Sequence, residues 1–541
     1  IDDDDNIFYL HSLFRFCVTF FWRERERFFF VSEHSRPKFS FFVSLRFSLS
    51  LVSHHKKCSS LALSLFSLVL VLLLAADVLA FGEDSSYGSN QIALLLASGL
   101  TVAIGMGRGQ NWASFEGKIK DTIGDAIGAI LILLLIGALA GTWLVSGIIP
   151  TLIDVGLDVL SKEVFLPAAC ILCAAVSLAT GSSWGTVGTV GVALIGIGQA
   201  LGLSEGWIAG AIISGAYFGD KLSPLSDTTN LAPTVAGTDL FTHIRFMLWT
   251  TVPSILIALV VFTFAGLGSS EGAADLGGAA MMQAELARYF NLHWGLFLVP
   301  VGVIVLIARR VAPVPALFLG VLGGAVAAAI AQPDLLATLA EDALGPALGL
   351  GPTRLGTAFT ALMSAAALDT AIETGNPVVT DLLSSGGMKG MLNTVWLIVS
   401  ALAFGGVLER TGILKQILDS VLKLVKSTGD LVAATVTGGF ITNILAADQF
   451  LAIALPGRLF SSTYDDRGLS RENLSRTLED SATMTSALIP WNTCGAYMAA
   501  TLGVATFDYA PYAIFNLACP LIAVAFGYLA FKQKPAAAQP A

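Results

Sequence analysis

Gly219-Asp-Lys-Leu-Ser-Pro-Leu-Ser-Asp-Thr-Thr-Asn230 places two carboxylates, a lysine and a proline between stretches apolar enough to cross a bilayer. It closes a tract that begins at Thr180-Gly-Ser-Ser-Trp-Gly-Thr186. A second tract runs from Thr442-Asn443 through Ala447-Asp-Gln449 to Glu479-Asp480 and Pro490-Trp-Asn-Thr-Cys-Gly495. A carboxylate is costly in hydrocarbon, so such residues face a cavity or a partner and mark an ion or solute path. One polar tract in each half of the chain points to a transporter.

The surroundings support a membrane protein. Of 541 residues, 55% are hydrophobic and only 13% charged, and the mean hydropathy is +0.75; a soluble chain carries roughly 25% charged residues. The net charge of -9 says little about partners. Basic residues sit in short loops between apolar runs, which excludes a nucleic-acid face. Six cysteines form no disulfide framework. Cys170-Ile-Leu-Cys173 has a redox or metal spacing, but its apolar setting reads as small hydrophobes in a helix. Residues 1–60 are rich in Phe, Ser and Arg without a steady period and read as a non-native or poorly ordered extension. Residues 61–81 read as a signal-like segment or an extra transmembrane helix.

Apolar segments of roughly 20 residues are spans, and the pattern predicts them at 91–107, 122–147, 164–180, 184–203, 207–235, 246–268, 292–308, 313–331, 391–408, 430–456, 482–505 and 510–531. The positive loops are 108–120, 243–245, 309–310, 410–426, 458–476 and the tail 532–541 with Lys532 and Lys534. Lys and Arg gather on the cytoplasmic side. All these loops fall inside only if 164–203 enters and returns from outside and 430–456 from inside. Such re-entrant hairpins must line a cavity. The connection 332–390 reads as an extracytoplasmic loop with short amphipathic helices, and the C-terminus as cytoplasmic.

Residues 122–268, within a first half at 91–331, and residues 391–531 show the same order: span, hairpin, interrupted span, span. The copies start on opposite sides, and their closing segments, 234–253 and 501–520, are equal in length. The expected fold is therefore an all-α polytopic membrane protein, an inverted-repeat secondary transporter with broken helices and re-entrant hairpins.

The residue types in the breaks suit a hard cation, which takes several oxygen ligands. Gly181 to Gly185 interrupts a helix, and Ser182, Ser183 and Thr186 add hydroxyls; tight helix packing is the bland alternative. Pro224 keeps Asp220 and Asp227 off a regular helix, so Ser223, Ser226, Thr228 and Asn230 are expected to turn oxygens inward, with Lys221 pairing either carboxylate. No basic residue stands between positions 440 and 456. An unpaired Asp448 can thus exchange a proton for a cation near neutral pH. Asp480, Asn443, Asn492 and Thr493 complete the candidate set; either Glu479 or Asp480 can instead cap a helix N-terminus, and Glu479 ranks below Asp480. Gly181-Ser-Ser-Trp-Gly185 also matches a hydrolase nucleophile elbow, but beyond residue 60 only His243 and His293 exist to serve it, both near predicted membrane surfaces.

These residues resemble the NhaC-type Na+/H+ antiporter family in residues 179–191, 214–230 and 488–495, in Phe404-Gly-Gly-Val-Leu-Glu-Arg410 and in Ala447-Asp-Gln449. The resemblance covers roughly 91–531. It implies exchange of cytoplasmic Na+ or Li+ for outside protons, without a cofactor, in a cell membrane. Some relatives couple Na+ and protons to organic acids or carry amino acids. Arginine is absent from the breaks, which disfavours a dicarboxylate. The expected partners are the bilayer, a monovalent cation and protons, with homodimerisation as a further option. A non-transporting receptor would leave the mirrored carboxylates unexplained.

Overall fold

The computed structural model describes residues 80, 88–268, 276–309, 311–344, 354–374 and 376–530. The readings of 1–60, of nearly all of 61–81, and of the tail lie outside these residues. Secondary structure is almost wholly helical. Seven helices are long and apolar enough to span a membrane, or up to nine if each of two bent pairs is one span, among the described residues.

The chain opens with α1 (Ser89–Gly107) and the polar α2 (Trp112–Asp125). The first repeat follows as α3 (Ile127–Val145), α4 (Ile148–Val159), α5 (Lys162–Thr180), α6 (Ser183–Thr186), a π-turn Val187–Gly191, α7 (Val192–Ala200), α8 (Glu205–Leu222), α9 (Asp227–Ala236) and α10 (Leu240–Gly268). A connecting region holds α11 (Leu276–Tyr289), α12 (Leu298–Ala308), α13 (Pro313–Ala331), α14 (Pro333–Leu344), α15 (Arg354–Ala367) and α16 (Pro377–Leu382). There β1 (Thr370–Ala371) pairs antiparallel with β2 (Ser384–Ser385). The segment 332–390 thus carries short helices, and α15 packs on α3.

The second repeat is α17 (Gly387–Thr411), α18 (Ile413–Leu422), α19 (Thr428–Ala446), α20 (Gln449–Asp466), α21 (Arg471–Leu478), a π-turn Glu479–Thr483, α22 (Met484–Ser486), α23 (Thr493–Leu502), α24 (Thr506–Tyr509) and α25 (Ile514–Tyr528). Its order matches the first. A long helix (α3, α17) leads to a short amphipathic one (α4, α18) whose buried face is apolar. Then come a hairpin (α5 to α7, α19 to α20), an interrupted helix (α8–α9, α21 to α23) and a closing helix (α10, α25). Left-handed glycines, Gly237 and Gly503, end α9 and α23 alike.

Packing between the halves is reciprocal. Helix α9 packs on α20, and α23 on the π-turn that follows α6; α10 packs on α21, and α25 on α8. Helices α10 and α25, counterparts of each other, touch directly. A two-fold relation produces this, because each contact is answered by its equivalent.

The second hairpin is longer than its expected limits, 430–456. Helix α19 begins at Thr428, and α20 continues through Pro456 to Asp466 although an interior proline removes one hydrogen bond and crowds the preceding turn. The two arms pack along each other. Two of the expected surface charges are interior instead: His243 and Arg476, counted with positive loops, are both fully buried.

Candidate ion site

Four helix breaks position the polar residues, and a capping side chain opens the helix after each one. Helix α5 ends on Gly181 in the left-handed region (φ 72°), and Ser182 then accepts from the Gly185 amide. Helix α8 ends at Ser223; Pro224 follows, and Ser226 accepts from the Thr229 amide to open α9. Helix α19 ends on Ala447 (φ 56°), and Asp448 accepts from the Leu451 amide at 2.7 Å. Asn492 accepts from the Cys494 amide to start α23. Side-chain caps satisfy amides that a helix start leaves open.

Charged side chains of both halves meet beside the second break. Lys221 does not pair with Asp220 or Asp227: its Nζ lies 2.6 Å from Asp480 Oδ1, and both side chains are fully buried. The same oxygen accepts from the Thr250 hydroxyl at 2.9 Å and the Cys519 thiol at 3.2 Å. Asp220 Oδ2 accepts from the Ser183 hydroxyl at 2.7 Å. Ser226 and Thr228 hydroxyls lie 3.1 Å apart, and Thr228 donates to Glu479 Oε1 at 3.0 Å. The π-turn carries Glu479 and Asp480 on adjacent positions, a backbone irregularity that recurs at functional sites.

Arg476 stands one turn before Asp480, with Nε 3.9 Å from Asp480 Oδ2 and its guanidinium 4.6 Å over the Phe246 ring. None of its three nitrogens has a hydrogen-bond partner among the described residues. No arginine lies within a break, as expected, but Arg476 reaches the cluster from inside α21. Arg476 was hidden by standing at the end of a polar loop, where basic residues usually report sidedness. His243 Nδ1 lies 2.8 Å from the Ser475 hydroxyl.

Amides make a second cluster at the third and fourth breaks. Asn443 donates to Ala482 O and Thr485 Oγ1, and Asn492 donates to Asn443 Oδ1 at 3.1 Å. The Thr493 amide donates to Ala447 O. Trp184 stacks on Tyr497 at 3.9 Å between ring centres, and the Tyr497 hydroxyl donates to Trp184 O, tying the first break to the fourth.

Not every predicted residue joins these clusters. Asp227 and Asn230 are exposed, contrary to the expectation that this break turns its oxygens inward. Ser226 takes the capping position and leaves Asp227 on the first turn of α9, while Asn230 donates back to Pro224 O and Ser226 O. Thr186 donates to Ser182 O and Ser223 Oγ accepts from the Leu225 amide, so both are locally satisfied. Cys170 and Cys173 are buried free thiols within α5. Among the described residues no group of three or more His, Cys, Asp or Glu side chains is arranged to hold a metal.

A family model described as the Na+/H+ antiporter family matches residues 215–531, from the middle of α8 to the end of α25. The chain belongs to that family. It is 39% identical to the Na+/H+ antiporter NhaC of Alkalihalophilus pseudofirmus, across 77% of this chain and 85% of that one. It is 35% identical to the Na+/H+ antiporter NhaC of Bacillus subtilis, across 88% and 99%. It is also 35% identical to the malate-2H+/Na+-lactate antiporter of Bacillus subtilis, across 81% and 89%. The protein is therefore a multi-pass membrane antiporter rather than an enzyme. The matched segment of this antiporter contains Asp220, Asp448, Glu479, Asp480 and Asn492, whereas Ser182 and Ser183 lie ahead of it.

Proposed function

We propose that this chain exchanges Na+ or Li+ for protons through buried carboxylates held between its two halves. The supporting observation is a charge count. The cluster contains two cations, Lys221 and Arg476, and three carboxylates, Asp220, Glu479 and Asp480, all buried. His243 and Cys519 border it, and at the ordinary values of an imidazole and a thiol neither carries a charge at pH 7. One positive charge is missing, and an uncompensated buried charge is expensive. Either a proton or a monovalent cation supplies it, so loading one displaces the other. Hydroxyls of Ser183, Ser226 and Thr228 offer further oxygens of the kind a hard cation takes.

Asp448 is the second coupling carboxylate in this reading, at the turn of the other hairpin. Asn caps a helix about as well as Asp, so Asp448→Asn separates charge from fold. In everted vesicles lacking other antiporters, added Na+ or Li+ should dissipate an imposed proton gradient. The Asp448→Asn protein should be inserted normally and inactive. Indifference of the wild-type vesicles to both ions rejects the exchange, and full activity of the variant removes Asp448 from it.

A second reading, exchange of organic acids or amino acids coupled to Na+ and protons, draws support from Arg476. A guanidinium is a two-pronged donor for carboxylates, and this one has no hydrogen-bond partner among the described residues. Uptake of labelled malate, lactate or amino acids by the same vesicles separates the two readings.

A further inference from the structure

We infer that the exchanged cation sits between Asp220 and Glu479, in a cage of oxygens shared by the two halves, and that Asp480 does not bind it. The inference rests on the exchange reading above and adds the place where exchange occurs.

The two acidic positions of the π-turn differ in what they touch. Asp480 Oδ1 already accepts from Lys221, Thr250 and Cys519, and its other oxygen, though buried without a hydrogen bond among the described residues, stands 3.9 Å from Arg476 Nε. With two cations beside it, this carboxylate is compensated and has no need of a proton or Na+. Among the described residues the Glu479 carboxylate has a single hydrogen bond, from Thr228, while its Oε2 is fully buried and unpartnered. The Thr483 hydroxyl, one turn further along, is also buried and without a hydrogen-bond partner among the described residues. A buried polar atom left without a partner is costly, which marks a place that a ligand completes. Thr228 joins Glu479 to Ser226, Ser183 donates to Asp220, and the Thr229 hydroxyl beside Thr228 donates to the backbone carbonyls of Asp220 and Lys221, which brings the two groups together. The side-chain atoms offered are oxygens, two of them on carboxylates, which suits Na+ or Li+. Asp220, Ser183, Ser226 and Thr228 come from the first half and Glu479 from the second, so the ion would be held by both.

The test uses full-length protein purified in detergent and reconstituted into liposomes. Melting is measured in NaCl against choline chloride at equal ionic strength, and exchange is measured against Na+ concentration. Wild type should melt higher in NaCl, and Glu479→Gln should lose both the shift and exchange. Glu479→Asp and Thr228→Val guard against a variant that fails to fold, and each should raise the half-saturating Na+ concentration about tenfold or more. Unchanged half-saturation in these two, or a Glu479→Gln protein that exchanges and shifts like wild type, overturns the placement while leaving the exchange reading intact. A Na+ shift that depends on Glu479 in a wild type that exchanges neither Na+ nor Li+ supports the placement and rejects the exchange.

Discussion

The two hairpin turns, Gly181–Ser182 and Ala447–Asp448, share a backbone and differ in chemistry. Each has a left-handed residue followed by an extended one whose side chain caps the next helix. The first uses glycine and a neutral hydroxyl; the second uses alanine and a carboxylate. The interrupted helices diverge further. The first half contributes Asp220 and Lys221 at the end of α8, whereas the second contributes Arg476, Glu479 and Asp480 on α21 and its π-turn, ahead of a break lined by amides. The repeated scaffold brings the two halves together, and unequal side chains then gather the buried charges beside the break after α8 rather than the break before α23.

The largest expected effect comes from breaking that asymmetry at its clamp. Asp480→Asn leaves the Lys221 ammonium buried without its partner, and removing one member of a buried pair costs about 3–5 kcal/mol. Its melting temperature in detergent should fall further than that of any other variant discussed here. Lys221→Met combined with Asp480→Asn should recover most of the loss and still exchange Na+, because neither side chain holds the ion. A single variant that melts like wild type would show that the pair does not join the halves.

Next comes the first hairpin turn. A Cβ at Gly181 would lie 2.5 Å from the Leu225 Cβ, in a conformation L-residues avoid. Gly181→Ala should therefore cost about 2 kcal/mol, from left-handed strain and overpacking together. The distance also explains the residue: the turn of the first hairpin packs directly on the break that follows α8. Melting unchanged by the substitution would mean that the two breaks do not depend on each other.

The breaks themselves were legible in the sequence, because Gly181, Pro224 and the isolated Asp448 interrupt apolar runs that otherwise continue. The repeat was legible too, through its matching order of segments. The pairing was not. Lys221 and Asp480 are 259 residues apart and Thr228 and Glu479 are 251 apart, and no local pattern joins such positions. Proximity in the chain suggested Asp220 or Asp227 for Lys221, but Asp220 takes the Ser183 hydroxyl and Asp227 points outward. Arg476 and His243 were misread for one reason: a basic residue at the edge of an apolar run looks the same whether it faces solvent or a buried carboxylate. Glu479 and Asp480 look like the opening of a new segment, where one of them would cap a helix, but α21, the π-turn and α22 form one unbroken helical run, so neither caps an N-terminus and only their neighbours from the first half distinguish them.

The smallest expected effect tests the equivalence of the two turns from the other side. Ala447→Gly relieves a left-handed alanine, worth about 1–2 kcal/mol. It also removes a fully buried methyl, which costs about 0.8 kcal/mol, and adds unfolded-chain freedom worth about 0.4–1 kcal/mol. These terms nearly cancel, so the variant should melt within about 0.5 kcal/mol of wild type. A strong stabilisation would mean that the alanine turn is strained beyond its backbone angle. A strong destabilisation would mean that the Ala447 methyl has a packing role for which Gly181 has no counterpart. In either case the two hairpins would be related in outline but not in energetics.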